Sequence, residues 1–172
     1  DDLEEDQEKK TENNKVEESV KHLYTLLENL WTWSKSLTNI IDFHAEIFNL
    51  TDLVEQSICL YSASAEKKEI KIILLNSEKN LAFADQNMCS LIIRNPINNA
   101  LKFSEPKSQI EIDIQDKNDF LEVQITDHGI GSAKENIDKL FRIDLKYKST
   151  GTAGEKGTGL GLLLCKEFVE SN

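Results

Sequence analysis

Three short stretches of this chain carry polar residues where a packed core has no use for them. The first, RNPINNALKF over residues 94–103, reads as part of a helix. Asn95 and Asn99 are four residues apart and share one helix face, with Lys102 one turn further along. An amide oxygen is a good neutral ligand for a hard cation that already holds phosphate oxygens, and a lysine adds a point charge for the phosphates. The second stretch, DHGIG over 127–131, follows an alternating strand. A carboxylate at a strand end can accept a hydrogen bond from an exocyclic amino group, and Gly129 and Gly131 let backbone approach a flat ring. The third, GEKGTGLGL over 154–162, sets Gly157, Gly159 and Gly161 in alternation into a helix start. Backbone amides there suit phosphate oxygens. It lacks the GK[ST] of a Walker loop, and it is not set as a Rossmann turn. Taken singly, each stretch has a plainer reading: surface amides on a helix, a turn after a strand, a flexible loop.

The elements that must position these groups can be read from periodicity. Val16, Val20, Leu23, Leu27, Leu30, Ser34 and Leu37 alternate four and three apart, the spacing of a helix-bundle seam. Tyr24, Leu26, Trp31 and Trp33 widen the apolar surface, so a helix over 16–37 wants a partner helix from another segment or a second chain. Residues 40–47 alternate as a strand, and Asn49 stands as an N-cap with Asp52 three residues on. A helix bearing Leu50, Leu53, Val54, Ile58 and Tyr61 follows. Strands are expected at 70–75, 81–84, 110–114 and 121–125, the last two joined by a turn at 116–119. Helices are expected at 87–103, interrupted by Pro96, at 135–141 and at 158–170, with a loop over 142–157. The expected fold is α+β, a two-layer sandwich of a mixed sheet with helices on one face. An acidic lead and seam helix occupy 1–40, and the sandwich 41–172.

Composition narrows the partners. The chain has 172 residues, 39% of them apolar, enough for one domain with a real core. A net charge of -11, from 31 acidic and 20 basic side chains, repels nucleic acid and anionic lipid. Any phosphate site must therefore be built locally, and only Arg94 and Arg142 supply guanidinium groups. Cys59, Cys89 and Cys165 lie in apolar surroundings and read as buried, reduced thiols of a cytoplasmic compartment. No apolar run is long enough to span a bilayer and the first residues are no signal peptide, so any membrane contact would come through other segments.

In this order and at these separations, the three clusters resemble the catalytic, ATP-binding domain of sensor histidine kinases, within the GHKL ATPase superfamily. RNPINNALKF looks like the N box, DHGIG the G1 box, LFRID the F box and GEKGTGLGL the G2 box, and the segment ending in NLWTWSKS looks like the second helix of the kinase dimerisation hairpin. The resemblance implies that Asp127 receives the adenine amino group. It implies that Asn99 binds Mg2+ with Asn95 nearby, and that Lys102 contacts phosphate. Gly129, Gly131, Gly157, Gly159 and Gly161 would shape the ATP pocket, with Phe103, Thr158, Leu160 and Leu162 lining it from the same boxes. Residues 141–157 would form a lid anchored by Phe141, with Arg142, Lys146 or Lys148 reaching the transferred phosphate. Hydrolysing members of the superfamily carry a glutamate where Asn95 stands, so hydrolysis is expected to be slow and the phosphate kept for a protein acceptor.

The same resemblance implies transfer to a histidine and then to an aspartate of a response regulator receiver domain, in a homodimer joined through the 16–37 helix. His22 lacks the acid and proline expected after an acceptor, His44 alternates in a strand, and His128 sits beside Asp127, so none reads as that acceptor. Family members continue past the final helix into closing strands, which here would leave a sheet edge bare. Pro96 breaks the N-box pattern and is expected to disturb the helix. Two rivals share these residues: a dimerising scaffold in which nucleotide is structural or absent, and a serine or threonine kinase of the same superfamily.

Overall fold

The computed structural model describes Val20 and residues 43–137, 139–141, 150–155, 157 and 159–172. The chain divides into two units, Asp1–Asp42 and Phe43–Asn172. Apart from Val20, the expected seam helix lies outside the described residues, as do His22, Arg142, Lys146, Lys148 and Thr158.

The second unit runs β1 (Ala45–Asn49), α1 (Leu50–Lys67), β2 (Lys71–Leu74), β3 (Leu81–Asp85), α2 (Gln86–Phe103), β4 (Gln109–Asp116), β5 (Leu121–Asp127), α3 (Lys134–Ile137) and α4 (Gly161–Ser171). β1 pairs antiparallel with β3. β4 is central to a mixed sheet, parallel to β2 on one side and antiparallel to β5 on the other. The period of two along β4 sorts its side chains. Ile110, Ile112 and Ile114 are buried, whereas Glu111, Asp113 and Gln115 point to the opposite face. The three isoleucines meet Leu50, Leu53 and Val54 of α1 and Ile93, Ile97 and Leu101 of α2 in one core. Burial of this apolar surface is what holds the two layers together.

Both long helices begin on side-chain caps. Asn49 Oδ1 accepts from Thr51 N–H at 3.2 Å, as its place before an apolar run predicts, and its amide donates to Asp52 at 2.6 Å. The cap of α2 is Asp85, one residue before the helix: Oδ1 accepts from Asn87 and Met88 N–H at 2.9 and 3.0 Å. Asp85 Oδ2 accepts from His44 N–H at 3.0 Å, so one buried carboxylate joins the chain before β1 to the start of α2.

Three local expectations change. The first strand covers Ala45–Asn49, with Ile47 72% exposed opposite Phe83 and Phe48 turned to the core. α1 starts at the very next residue with Leu50 buried, and this fixes the register; a one-residue shift exchanges the two faces of a strand. The helix expected over 135–141 shortens to Lys134–Ile137, a stretch with no buried residue to extend it. Cys59 is exposed, whereas Cys89 is half-buried and Cys165 buried.

Pro96 lies inside α2, which nevertheless runs unbroken from Gln86 to Phe103. A proline at 96 has no N–H for the Ile92 carbonyl one turn back. The Cys165 thiol of α4 stands 3.7 Å from that oxygen and 4.0 Å from Leu91 O, and serves as a weak replacement donor. Pro96→Leu should raise the melting temperature, by about 1–2 kcal/mol of stability rather than the ~3 kcal/mol typical of an internal proline, because the orphaned carbonyl already has a partner. An unchanged or lower melting temperature would mean that the ring packs too well to be missed.

Candidate functional site

The last turn of α2 gathers the polar clusters. A helix leaves its final carbonyls without internal donors, and here other segments supply them. Phe103 O accepts from Ile130 N–H at 3.1 Å, and Ser104 bridges to Gly129. Lys102 O accepts from Thr152 N–H at 2.9 Å, and Ser104 O accepts from the Thr152 hydroxyl at 2.8 Å. DHGIG and the turn that leads into the glycine-rich segment are therefore both fastened to RNPINNALKF, at adjacent residues.

Asp127 ends β5, where its Oδ1 accepts from Gly129 N–H at 2.9 Å, which fixes the carboxylate against its own turn. The turn lies so close to α2 that a Cβ at Gly129 would run into the Phe103 carbonyl, so only glycine fits there. Gly131 is exposed and has a φ of 64°. At the other end of the site, the first turn of α4 lies against Asn95: a Cβ on Gly161 would meet the Asn95 amide oxygen. The Asn95 amide nitrogen donates to Leu91 O at 3.1 Å, which orients that oxygen. Asn99, one turn along α2, is half-buried.

Lys102 is buried, and its ammonium lies 4.6 Å from the centre of the Phe103 ring, beside Gly157. Burial pushes its pKa below the ordinary lysine value, and Glu155 pulls it partly back. Gly159 has a φ of 77° and is exposed, Leu160 precedes α4 as its N-cap, and Leu162 is half-buried. Phe141 is 41% exposed. Ser104 is fully buried, and its hydroxyl has no hydrogen-bond partner among the described residues. Arg94 Nε is likewise buried without one; its charge acts on Tyr61 of α1, whose hydroxyl burial pushes up and Arg94 partly lowers. Among the described residues no three His, Cys, Asp or Glu side chains are grouped as a metal cage.

Two participants gave no sign in the sequence. Lys68 sits in the run EKKE, which reads as solvated charge, yet its ammonium contacts Leu101 O, Lys102 O, Thr152 and Glu155. Glu155 in turn closes a tight turn, its Oε2 accepting from Ala153 N–H at 2.9 Å and its backbone O from Gly151 N–H at 2.9 Å. No local pattern marks contacts between residues so far apart in the chain.

Fold and site define a class: an α+β sandwich whose polar clusters converge on the C-terminal end of one helix. Residues 84–172 match the family described as histidine kinase-, DNA gyrase B- and HSP90-like ATPase. The chain belongs to that family, and the relatives it matches include sensor histidine kinases. It is 28% identical over 171 residues to the autoinducer 2 sensor kinase/phosphatase LuxQ of Vibrio harveyi, covering 95% of this chain and 20% of that protein. The chain spans about a fifth of the length of the curated relatives that it matches first. Among solved structures, the histidine kinase AdeS of Acinetobacter baumannii has the same fold, with a TM-score of 0.71 at 22% identity over 88% of this chain and 68% of that one. Full-length ShkA in complex with AMPPNP gives a TM-score of 0.69 at 21% identity, over 90% of this chain and 32% of that one.

The Glu155 carboxyl carries a prediction. Burial alone would raise its pKa, but the hydrogen bond from Lys68, the N–H groups of Glu155 and Ala153 and the charge of Lys68 together hold it below its ordinary 4.5. A depressed carboxylate pKa adds stability above the unfolded value and loses it as pH falls through the folded one. Glu155→Gln should therefore lower stability at pH 7, by less than about 1 kcal/mol for a carboxylate more than a third exposed, and have a smaller effect near pH 3, where protonation begins to remove the charge. Chemical denaturation at the two pH values measures this; an equal loss at both would contradict it.

Proposed function

We propose that this domain binds Mg-ATP and is the catalytic part of a histidine autokinase in a two-component pathway. The observation that carries the reading is the junction at the end of α2, where adjacent residues Lys102 and Phe103 hold Thr152, in the turn that leads into the glycine-rich segment, and the DHGIG turn. Asp127, its carboxylate held by Gly129 N–H, accepts the adenine amino group. Guanine would turn a carbonyl toward that carboxylate, so ATP is preferred over GTP.

The phosphates belong at the other side. α1 and α2 start on Asn49 and Asp85 caps, but α4 starts on Leu160, whose side chain cannot accept from the first amides. An uncapped helix start suits phosphate oxygens. Lys102, partly desolvated, adds charge from the facing helix. Magnesium would be held by Asn99 and the phosphates themselves, with Asn95 nearby, and would neutralise charge on the transferred group. Asn95 cannot take a proton from water, which favours transfer to a protein over hydrolysis. Phe141 and Arg142 belong to the lid in this reading, and Gly129, Gly131, Gly157, Thr158, Gly159, Gly161 and Leu162 to the pocket wall.

The phosphate acceptor is a histidine other than His22, His44 and His128, and an aspartate of a receiver domain follows it. The intact protein works as a homodimer through the 16–37 helix, with this domain in the cytoplasm; among the described residues no helix is long and apolar enough to cross a membrane. The continuity of α2 through Pro96 speaks against the scaffold reading, in which the N box is spoiled.

Calorimetry with Mg-ATP should give saturable binding, GTP should bind at least tenfold more weakly, and Asp127→Asn should weaken ATP by tenfold or more, about 1.4 kcal/mol. Absence of ATP binding by the wild type would overturn the reading. Incubation of these 172 residues with γ-labelled ATP should leave no acid-labile label; such a label would overturn the assignment of the acceptor.

A further inference from the structure

Lys68 follows the last residue of α1 and lies outside every motif of the proposed site. Its side chain is only 13% exposed. The ammonium donates to Leu101 O at 2.8 Å and Lys102 O at 3.2 Å, two of the carbonyls in the last turn of α2 that have no helical donor. It also donates to Thr152 Oγ1 at 2.9 Å and pairs with Glu155 Oε1 at 2.7 Å. A cation suits a helix C-terminus, where the dipole is negative. Three protons serving four acceptors hold three separate stretches of chain at one point.

The grip extends beyond the ammonium. Thr152 Oγ1, held by Lys68, donates to Ser104 O at 2.8 Å, and Thr152 N–H donates to Lys102 O. Gly154 N–H donates to Gly151 O at 3.0 Å, which closes the 151–155 turn on itself. Gly151 is buried against the Lys102 side chain. Two residues beyond Glu155, Gly157 lies beside the Lys102 ammonium. The position of the glycine-rich segment relative to Lys102 is thus set by the 151–155 turn, and that turn is held by Lys68.

We propose that Lys68, acting through Glu155 and Thr152, is a positioning residue for nucleotide: it locks the 151–155 turn onto the end of α2 and so fixes the glycine-rich segment against Lys102. The proposal rests on the ATP-binding reading. The lock exists before nucleotide arrives, so part of the ordering cost of binding is met in folding, and the gain appears as affinity.

Two measurements test this on the same proteins. Amide exchange without nucleotide should be faster at Gly151 and Thr152 in Lys68→Met and in Glu155→Gln than in the wild type, and close to wild type in Lys68→Arg. Calorimetry with Mg-ATP should show each of the first two variants weakened about 3- to 10-fold, and the double variant no weaker than the worse single, because each removes the same pair. Lys107→Met is the control, since Lys107 meets Glu69 at 3.9 Å with both side chains exposed, and it should bind as wild type does. A merely structural lysine would lower the melting temperature and leave ATP affinity unchanged, and that result overturns the proposal, as do additive losses in the double variant. Unaltered exchange at 151 and 152 overturns it alone, with ATP binding intact. A wild type that binds no ATP overturns the ATP reading, and the proposal with it. Should Lys68→Met not fold, Glu155→Gln, at the more exposed end of the pair, decides the question by the same two measurements.

Discussion

A helix cannot satisfy its own last carbonyls, and the domain is organised around that fact at the end of α2. Ala100 O receives Ser104 N–H, Leu101 O receives Lys68, Lys102 O receives Lys68 and Thr152, and Phe103 O receives Ile130 N–H. The donors to the last three carbonyls come from different parts of the chain: the end of α1, the turn before the glycine-rich segment and the turn after β5. A buried carbonyl left without a donor costs more than a bond gained is worth. The convergence of the site and the satisfaction of the helix end are therefore one structural event.

The same junction reconciles a strongly acidic chain with an anionic ligand. A net charge of -11 gives no general attraction for phosphate. The negative end of α2 draws two lysines inward instead, and both are largely removed from water. Lys68 is neutralised in place by Glu155, and Lys102 lies next to it with its pKa depressed by desolvation. Charge is set by position within a few ångströms, where screening is weak, and the surface is left acidic.

What was legible in the sequence was what is local. The Asn49 cap, the alternation of Ile110, Ile112 and Ile114, the hairpin at 116–119 and the i, i+4 placement of Asn95 and Asn99 all follow from spacing along a few residues. The order of the clusters was legible too, through the resemblance to a known domain; along α2 the structure sets Gly161 against Asn95, Gly157 against Lys102, and Gly129 against Phe103 and Asp127. What was hidden is what spans the chain. Lys68 to Glu155, Cys165 to Ile92 and Asp85 to His44 are pairs whose members look ordinary in their own surroundings. Pro96 shows the cost of local reading alone: a residue that ought to break α2 is accommodated by a thiol on another helix. The first strand shows another, since Ile47 and Phe48 are equally apolar and only the burial of Leu50 tells which faces inward.

β2 lies parallel to β4, with β3 and all of α2 between them in sequence, while β3 is paired elsewhere, with β1. A parallel pair of this kind cannot zip from a tight turn; its ends must first be brought together across a long loop. The rate of acquiring the native state is then governed by a late, non-local step. α2, which lies within that loop, packs Ile93, Ile97 and Leu101 into the same core as Ile110, Ile112 and Ile114 of β4, so the helix that carries Asn95, Asn99 and Lys102 gains its stability from the sheet that its own loop must close.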